Sequence, residues 1–206
     1  MNEPVVGVLL AGGLSRRMGG GDKMLRRIGG ATILSRVIAR LAPQTRHLIL
    51  NANGDPARFE PFGLAVVPDT LAGHAGPLAG VLTGMEWAAA NAADCGWVLT
   101  VPTDAPFLPD DLAARMLAAI DAQNAEMACA SSGGRAHPVC GIWPVRLAAD
   151  LRQAITVEQI RKVDVWTARY RHILVDWPVD PVDPFFNANR PQDLAEAERL
   201  LDRSGG

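Results

Sequence analysis

Short aliphatic runs alternate with longer stretches of helical spacing from Val5 to about residue 145. The run Val5–Ala11 (VVGVLLA) is unbroken and rich in β-branched residues, which predicts a strand buried on both faces. His47–Ala52, Leu64–Asp69 and Gly96–Pro102 are further short apolar runs; Glu126–Ser131 and His137–Trp143 complete the expected strands. Between them, Thr32–Ala42, Pro77–Ala93 and Leu108–Gln123 carry apolar residues at helical intervals. Proline opens the second of these, and Asp110 is the candidate cap of the third. The alternation predicts a three-layer α/β sandwich with a mostly parallel sheet. Beyond residue 145 the rhythm loosens. VRLAADLRQAI and VEQIRKVDVWTARY read as helical, HILVDW as a strand, and PQDLAEAERLLDRS as an amphipathic helix opened by proline. No repeat or long linker divides the chain, so residues 1–206 are expected to form one domain.

In an open sheet of this kind, ligands bind outside the carboxyl ends of the strands. The polar segments that follow the expected strands are Gly12–Leu25, Asn51–Asp55, Pro68–Asp69 and Pro102–Asp104, and a parallel sheet brings them to one edge. The first is neither a Walker A loop nor a Rossmann fingerprint: it lacks Gly-Lys-Ser/Thr and GxGxxG, and the next helical pattern waits until Thr32. A loop of about twenty residues is functional or disordered more often than not. Gly12, Gly13, Gly19, Gly20 and Gly21 allow backbone amides to approach an anion, and Arg16, Arg17 and Lys23 add positive charge. This is the composition of a polyphosphate cradle, against which stands a solvated loop with scattered cations.

Charge makes such a cradle a local device. Twenty basic and 22 acidic side chains leave a formal charge of −2, with no broad attraction for nucleic acid or an anionic membrane. Cys95, Cys129 and Cys140 are widely spaced in apolar surroundings and read as buried small hydrophobes. The N-terminal run lacks a basic flank, and no stretch approaches the ~20 apolar residues of a membrane span. The expected location is the cytoplasm.

LAGGLSRRMGGGDKML (Leu10–Leu25 within it) resembles the signature of NTP-transferase-like nucleotidyltransferases, and among them the molybdenum cofactor guanylyltransferases of the MobA type. The resemblance continues in order through NAN (Asn51–Asn53), PD (Pro68–Asp69), GPLAG (Gly76–Gly80), PTDAPFLP (Pro102–Pro109) and FNANRPQDL (Phe186–Leu194). It implies a Rossmann-like sheet, with residues 1–110 forming a nucleotide-binding half and 111–206 a molybdopterin-binding half. It also implies transfer of GMP from GTP to the phosphate of molybdenum-bearing molybdopterin, with Mg²⁺ required and pyrophosphate released. Leu10, Ala11, Gly12 and Gly13 would line the GTP pocket, with Asn51 and Asp69 on the nucleotide. Lys23 and Arg17 would act on the phosphates, and Asp104 on both GTP and the metal. Asn187 and Asn189 would lie near the pterin side or the metal, and Arg161 is a further candidate for contact with molybdopterin. Other molybdenum cofactor biosynthesis proteins or acceptor molybdoenzymes would be the partners. Thr103 and Arg190 depart from the residues common at those positions in the family.

The implied chemistry is self-consistent. A phosphate monoester has a second pKa near ~6 and is mostly dianionic at neutral pH, so it needs no base to become a nucleophile. The difficulty is to bring two anions together, which calls for positioning and charge neutralisation. Several residues admit plainer readings: Asp104, Asn51, Asn53 and Asp69 as turn or cap residues, Lys23 as a solvated side chain, and Arg16 or Arg17 paired with Asp22. His137 reads as structural or substrate-lining. Arg161, Lys162, Arg169 and Arg171 read as a docking surface or a solvated face, and Trp143 and Trp166 as core or pterin pocket. Cytidylyl transfer to molybdopterin, sugar-phosphate nucleotidyl transfer and non-catalytic nucleotide binding are the alternatives in function.

Overall fold

Val5–Leu10 is buried at every position, as only a central strand covered on both faces can be. The computed structural model describes residues 3–11, 23–71, 76–188 and 191–204. Along the chain come β1 (Val5–Leu10), the hairpin β2 (Arg27–Ile28) and β3 (Ala31–Thr32), α1 (Ile33–Leu41), β4 (His47–Asn51) and β5 (Ala65–Val67). Then follow α2 (Pro77–Asn91), β6 (Trp97–Pro102), α3 (Leu112–Gln123), β7 (Met127–Ser132) and β8 (Arg135–Pro144). The remainder is α4 (Ala148–Thr156), α5 (Val163–Thr167), β9 (His172–Trp177) and α6 (Pro191–Ser204).

Seven strands form one sheet in the order β5-β4-β1-β6-β8-β7-β9. Only β8 runs against its neighbours β6 and β7; the β1–β4, β1–β6, β4–β5 and β7–β9 pairs are parallel. The expected mostly parallel sheet is thus present. The pleat sends β1 to two cores. Val5 and Leu9 join a cluster with α1, α3 and α6, while Val6, Val8 and Leu10 join one with α2, α4 and α5. Those two helical layers and the sheet between them make the three-layer sandwich. The single reversal is possible because Gly133 and Gly134, at φ +54° and +76°, close a two-residue turn between β7 and β8.

Local details correct the sequence reading. The segment VEQIRKVDVWTARY is helical only over Val163–Thr167. Gln159 sits at φ +60°, and the Ile160 N–H turns back to the Ala154 carbonyl at 2.9 Å, ending α4. Asp110 does not cap α3. It pairs with Arg40, the N-cap position belongs to Asp111, and the Asp111 carboxylate accepts from Trp177 Nε1 at 3.0 Å. Gln44 supplies the cap from outside the helix: its Oε1 accepts the Ala113 N–H at 3.0 Å, while its Nε2 donates to the Arg40 and Pro109 carbonyls, each at 2.8 Å. All three cysteines are buried and unbridged, and burial pushes the Cys129 thiol up to about 12. Among the described residues no helix is long and apolar enough to cross a membrane.

Because one side chain satisfies an N–H of α3, the Arg40 carbonyl in the last turn of α1 and the Pro109 carbonyl, Gln44→Ala should cost about 1–2 kcal/mol of stability. Urea denaturation with an unchanged m-value would show it; an unshifted midpoint would mean that water replaces the amide.

Candidate functional site

The strand register decides which residues meet. Leu10 lies opposite Asn51 on one side and Pro102 on the other, so β4, β1 and β6 stop level with one another. Pairing runs one step further, with Ala11 N–H on the Asn51 carbonyl at 2.9 Å and Ala52 N–H on the Val67 carbonyl at 3.2 Å. Thr103 Oγ donates to the Leu10 carbonyl at 3.4 Å, tying the segment after β6 to the end of β1. Gly12, Gly13, Arg16, Arg17 and Asp22 lie outside the described residues, as do Asn189 and Arg190.

Asn51, Asn53 and Asp69 form one network. Asn51 Nδ2 donates to Asp69 Oδ1 at 2.9 Å and to the Val67 carbonyl at 3.1 Å. Asn53 Nδ2 donates to Asp69 Oδ2 at 2.8 Å, and Asn53 Oδ1 accepts the Asp69 N–H at 2.9 Å. Asp69 is therefore a carboxylate fixed from both sides rather than a turn cap. The first turn of α2 rests directly on this network: a Cβ at Gly80 would stand 2.5 Å from both Asn51 Oδ1 and a methyl of Leu10.

Asp104 stands at the end of β6, partly buried. Burial raises its pKa; hydrogen bonding with its own backbone and the positive charge of Lys23 pull it back only in part. Lys23 and Asp104, 81 residues apart in the chain, are thus electrostatic neighbours at one edge. The last expected segment joins them. The Ala188 N–H donates to the Asp104 carbonyl at 2.9 Å, and the Phe186 ring tilts against Phe107 with centroids 6.2 Å apart. Asn187 borders a cavity of about 350 Å³, whose lining also includes Arg135, His137, Asp183, Phe185 and Phe186.

Other expected residues are used elsewhere. Arg161 does not reach that cavity's lining; its guanidinium donates to the Ile155 and Ile160 carbonyls and to Gln159 Oε1. Arg169 pairs with Glu158. Trp143 and Trp166 are core residues, with rings 5.9 Å apart and Trp143 Nε1 on Thr100 Oγ at 2.9 Å. Among the described residues, His47, Asp94 and Cys95 also bring metal-ligating atoms within 4.8 Å, near the opposite ends of β4 and β6, where Arg46 pairs with Asp94 at 3.5 Å. Sequence reasoning missed Ser132, Asp183 and Phe185 altogether. Only the dipeptide His137-Pro138 marked that region.

A carboxylate and a lysine gathered beyond the parallel strands, beside a polar cavity, define a transferase of the nucleotide-handling α/β class. The chain belongs to the family of the MobA-like NTP transferase domain, whose model matches residues 7–172. A molybdenum cofactor guanylyltransferase of Rhodopseudomonas palustris (strain BisB5) is 58% identical over 196 residues, covering 95% of this chain and 93% of the relative. Its namesake in Bradyrhizobium sp. (strain ORS 278) is 59% identical, with 95% and 92% covered. Among solved structures, molybdopterin-guanine dinucleotide biosynthesis protein A from Archaeoglobus fulgidus gives a TM-score of 0.72 at 21% identity, covering 97% of this chain and 99% of that one. The 4-diphosphocytidyl-2C-methyl-D-erythritolsynthase of Anaerococcus prevotii gives 0.74 at 12% identity, covering 98% and 97%. At such identities the likeness concerns the fold.

The buried carboxylate has a thermodynamic consequence. An acid whose pKa is raised by folding destabilises the fold as pH rises from its unfolded pKa to its folded one, and the full penalty persists above both. At pH 7, without nucleotide or metal, Asp104→Asn should therefore raise the melting temperature. Below about pH 3, where the acid is protonated in both states, the two proteins should melt together. A lower Tm for the variant at pH 7 would contradict the burial assigned to Asp104.

Proposed function

We propose that this protein transfers the GMP part of GTP to the terminal phosphate of molybdenum-bearing molybdopterin. An oxygen of the acceptor phosphate attacks the α-phosphorus, the bond from that phosphorus to the bridging oxygen breaks, and pyrophosphate leaves with that oxygen. The single observation that carries the reading is that the positive charge of Lys23 acts on the half-buried Asp104 at the carboxyl edge. The high identity to relatives named guanylyltransferase supports GTP over CTP as donor.

Each residue has a task in this reaction. Leu10, Ala11, Gly12 and Gly13 line the donor pocket through their backbone, and Asn51 and Asp69 contact the nucleoside. Lys23 and Arg17 offset phosphate charge as it builds on the leaving group. The acceptor arrives as a dianion, so no side chain removes a proton before attack. Asn187 and Asn189 face the acceptor, in keeping with a nucleotide half over residues 1–110 and an acceptor half over 111–206. Arg161, whose bonds are made to Ile155, Ile160 and Gln159, is the weakest of the expected acceptor contacts. The product would pass to another biosynthetic protein or an acceptor molybdoenzyme.

A divalent cation suits Asp104. Burial disfavours its charge, and Lys23 relieves this only in part, so a hard cation would stabilise the ionised form. Mg²⁺ binds oxygen and commonly takes one or two carboxylates while keeping waters. Held by Asp104, it would supply charge neutralisation for the two phosphates. Asp104→Ala and Lys23→Ala should each lower kcat by about 10²-fold or more. Pyrophosphate release with molybdenum-loaded molybdopterin and either GTP or CTP measures both the loss and the donor. Preference for CTP, or full activity in Asp104→Ala, would overturn the assignment.

A further inference from the structure

Three side chains distant in sequence form one hydrogen-bond chain at the cavity beside Asn187. Ser132 ends β7, His137 lies just past the turn into β8, and Asp183 belongs to the segment between β9 and α6. Ser132 Oγ is 2.7 Å from His137 Nε2 and 2.8 Å from Asp183 Oδ1. A hydroxyl has one proton, and an ionised carboxylate can only accept. The Ser132 O–H therefore donates to Asp183, and Ser132 Oγ accepts from the Nε2–H of His137. Neutral His137 is thereby fixed as the Nε2–H tautomer, with its lone pair on Nδ1. Burial keeps its pKa below the ordinary histidine value, with Arg135 acting in the same sense and Asp183 against it.

The ring is braced as well as tethered. Phe185 stacks on His137 with centroids 4.7 Å apart and planes 29° apart, and Trp177 meets Phe185 edge-on at 5.5 Å. Asp183 Oδ1 also accepts the Phe185 N–H at 3.0 Å. Two acceptors then remain: His137 Nδ1 and Asp183 Oδ2 make no hydrogen bond among the described residues. Both residues line the cavity, whose volume of about 350 Å³ falls within the range of small-molecule sites. Asn187 lines it too, and the next residue, Ala188, is bonded to the Asp104 carbonyl, so the cavity adjoins the proposed transfer site.

We propose that His137 Nδ1 and Asp183 Oδ2 orient the acceptor by taking hydrogen bonds from the N–H groups of its aminopyrimidinone ring, with Ser132 as the positioning residue that holds His137 in the required tautomer. This rests on the transfer reaction proposed above and adds the part of the molecule that recognises the pterin. Two acceptors are the chemical complement of that ring edge, which presents an amino group beside a ring N–H. A purely structural Ser132–His137–Asp183 chain would instead pin the β7–β8 hairpin to the 183–188 segment, and His137→Gln, which can keep the donor to Ser132, would then fare better than His137→Asn.

The test compares wild type with His137→Gln, His137→Asn and Ser132→Ala. Asparagine places an amide oxygen near the position of Nδ1, whereas glutamine reaches only towards that of Nε2. His137→Gln should raise the KM for molybdenum-loaded molybdopterin about tenfold, with the KM for GTP changed less than about twofold. His137→Asn should recover most of that loss, and Ser132→Ala should raise the acceptor KM about threefold to tenfold. Titration calorimetry with metal-free molybdopterin should rank the four proteins in the same order without turnover. Wild-type acceptor affinity in both His137→Gln and Ser132→Ala would overturn the inference. If His137→Gln also loses GTP binding, its fold has been disturbed, and Ser132→Ala, which removes one oxygen, decides. If wild type binds molybdopterin but makes no dinucleotide, the transfer reading fails, and the ranking of affinities still judges His137.

Discussion

Three parallel strands ending side by side impose the constraint on which the rest of the molecule depends. Because Leu10 is level with both Asn51 and Pro102, whatever follows each strand must share one patch of surface. Backbone groups past the strand ends lose their ladder partners and take up others. Some are met locally, as when Thr103 Oγ reaches back to the Leu10 carbonyl and Ala188 covers the Asp104 carbonyl. The result is a rim where polar side chains stand close together over an apolar sheet. Asp104 is the clearest case: the fold desolvates a carboxylate, and among the described residues Lys23 offsets this in part. Such a group weakens the folded protein at neutral pH, a cost to stability of the kind that functional groups impose.

The two cores explain how that rim is held rigid. Alternate side chains of β1 commit it to both helical layers at once, so it has no freedom to slide. On one face, α2 approaches so closely that Gly80 leaves space only for Asn51 and Leu10. A methyl group there would push the Asn51 amide away from Asp69. Beyond β6, the reversed strand β8 carries His137 back to the same edge, where Asp183 and Phe185 meet it. Both ends of this rim are thus built by the same device, a strand end supported by a loop from elsewhere in the chain.

Much of this was legible in the sequence, and the residues show why the rest was not. Unbroken aliphatic runs such as Val5–Ala11 identified the central strands, because burial on both faces leaves a direct compositional trace. A parallel sheet implies that Asn51, Asp69 and Asp104 lie along one edge; Asn51 and Asp69 are hydrogen-bonded there, and Asp104 follows β6 on the other side of β1. Hydrogen-bond partners chosen across long separations left no such trace. Gln44 caps a helix 69 positions away, and Ser132 finds Asp183 at a separation of 51. Asp110 looked like a cap because residue type is local information, while its actual partner, Arg40, is set by how α1 and α3 pack. Arg161 looked available for the same reason, although carbonyls at the end of α4 take its guanidinium. The reversal at Gly133-Gly134 carried a local turn signal, yet the reading of His137 depended on contacts made only after folding.

The most direct test of the central claim is a crystal structure of the protein with GTP and Mg²⁺. The triphosphate is expected to lie over the end of β1, with Lys23 on its phosphates, the metal on Asp104 and the nucleoside towards Asn51 and Asp69. A nucleotide bound away from this edge, or one whose phosphates engage neither Lys23 nor Asp104, would contradict that claim.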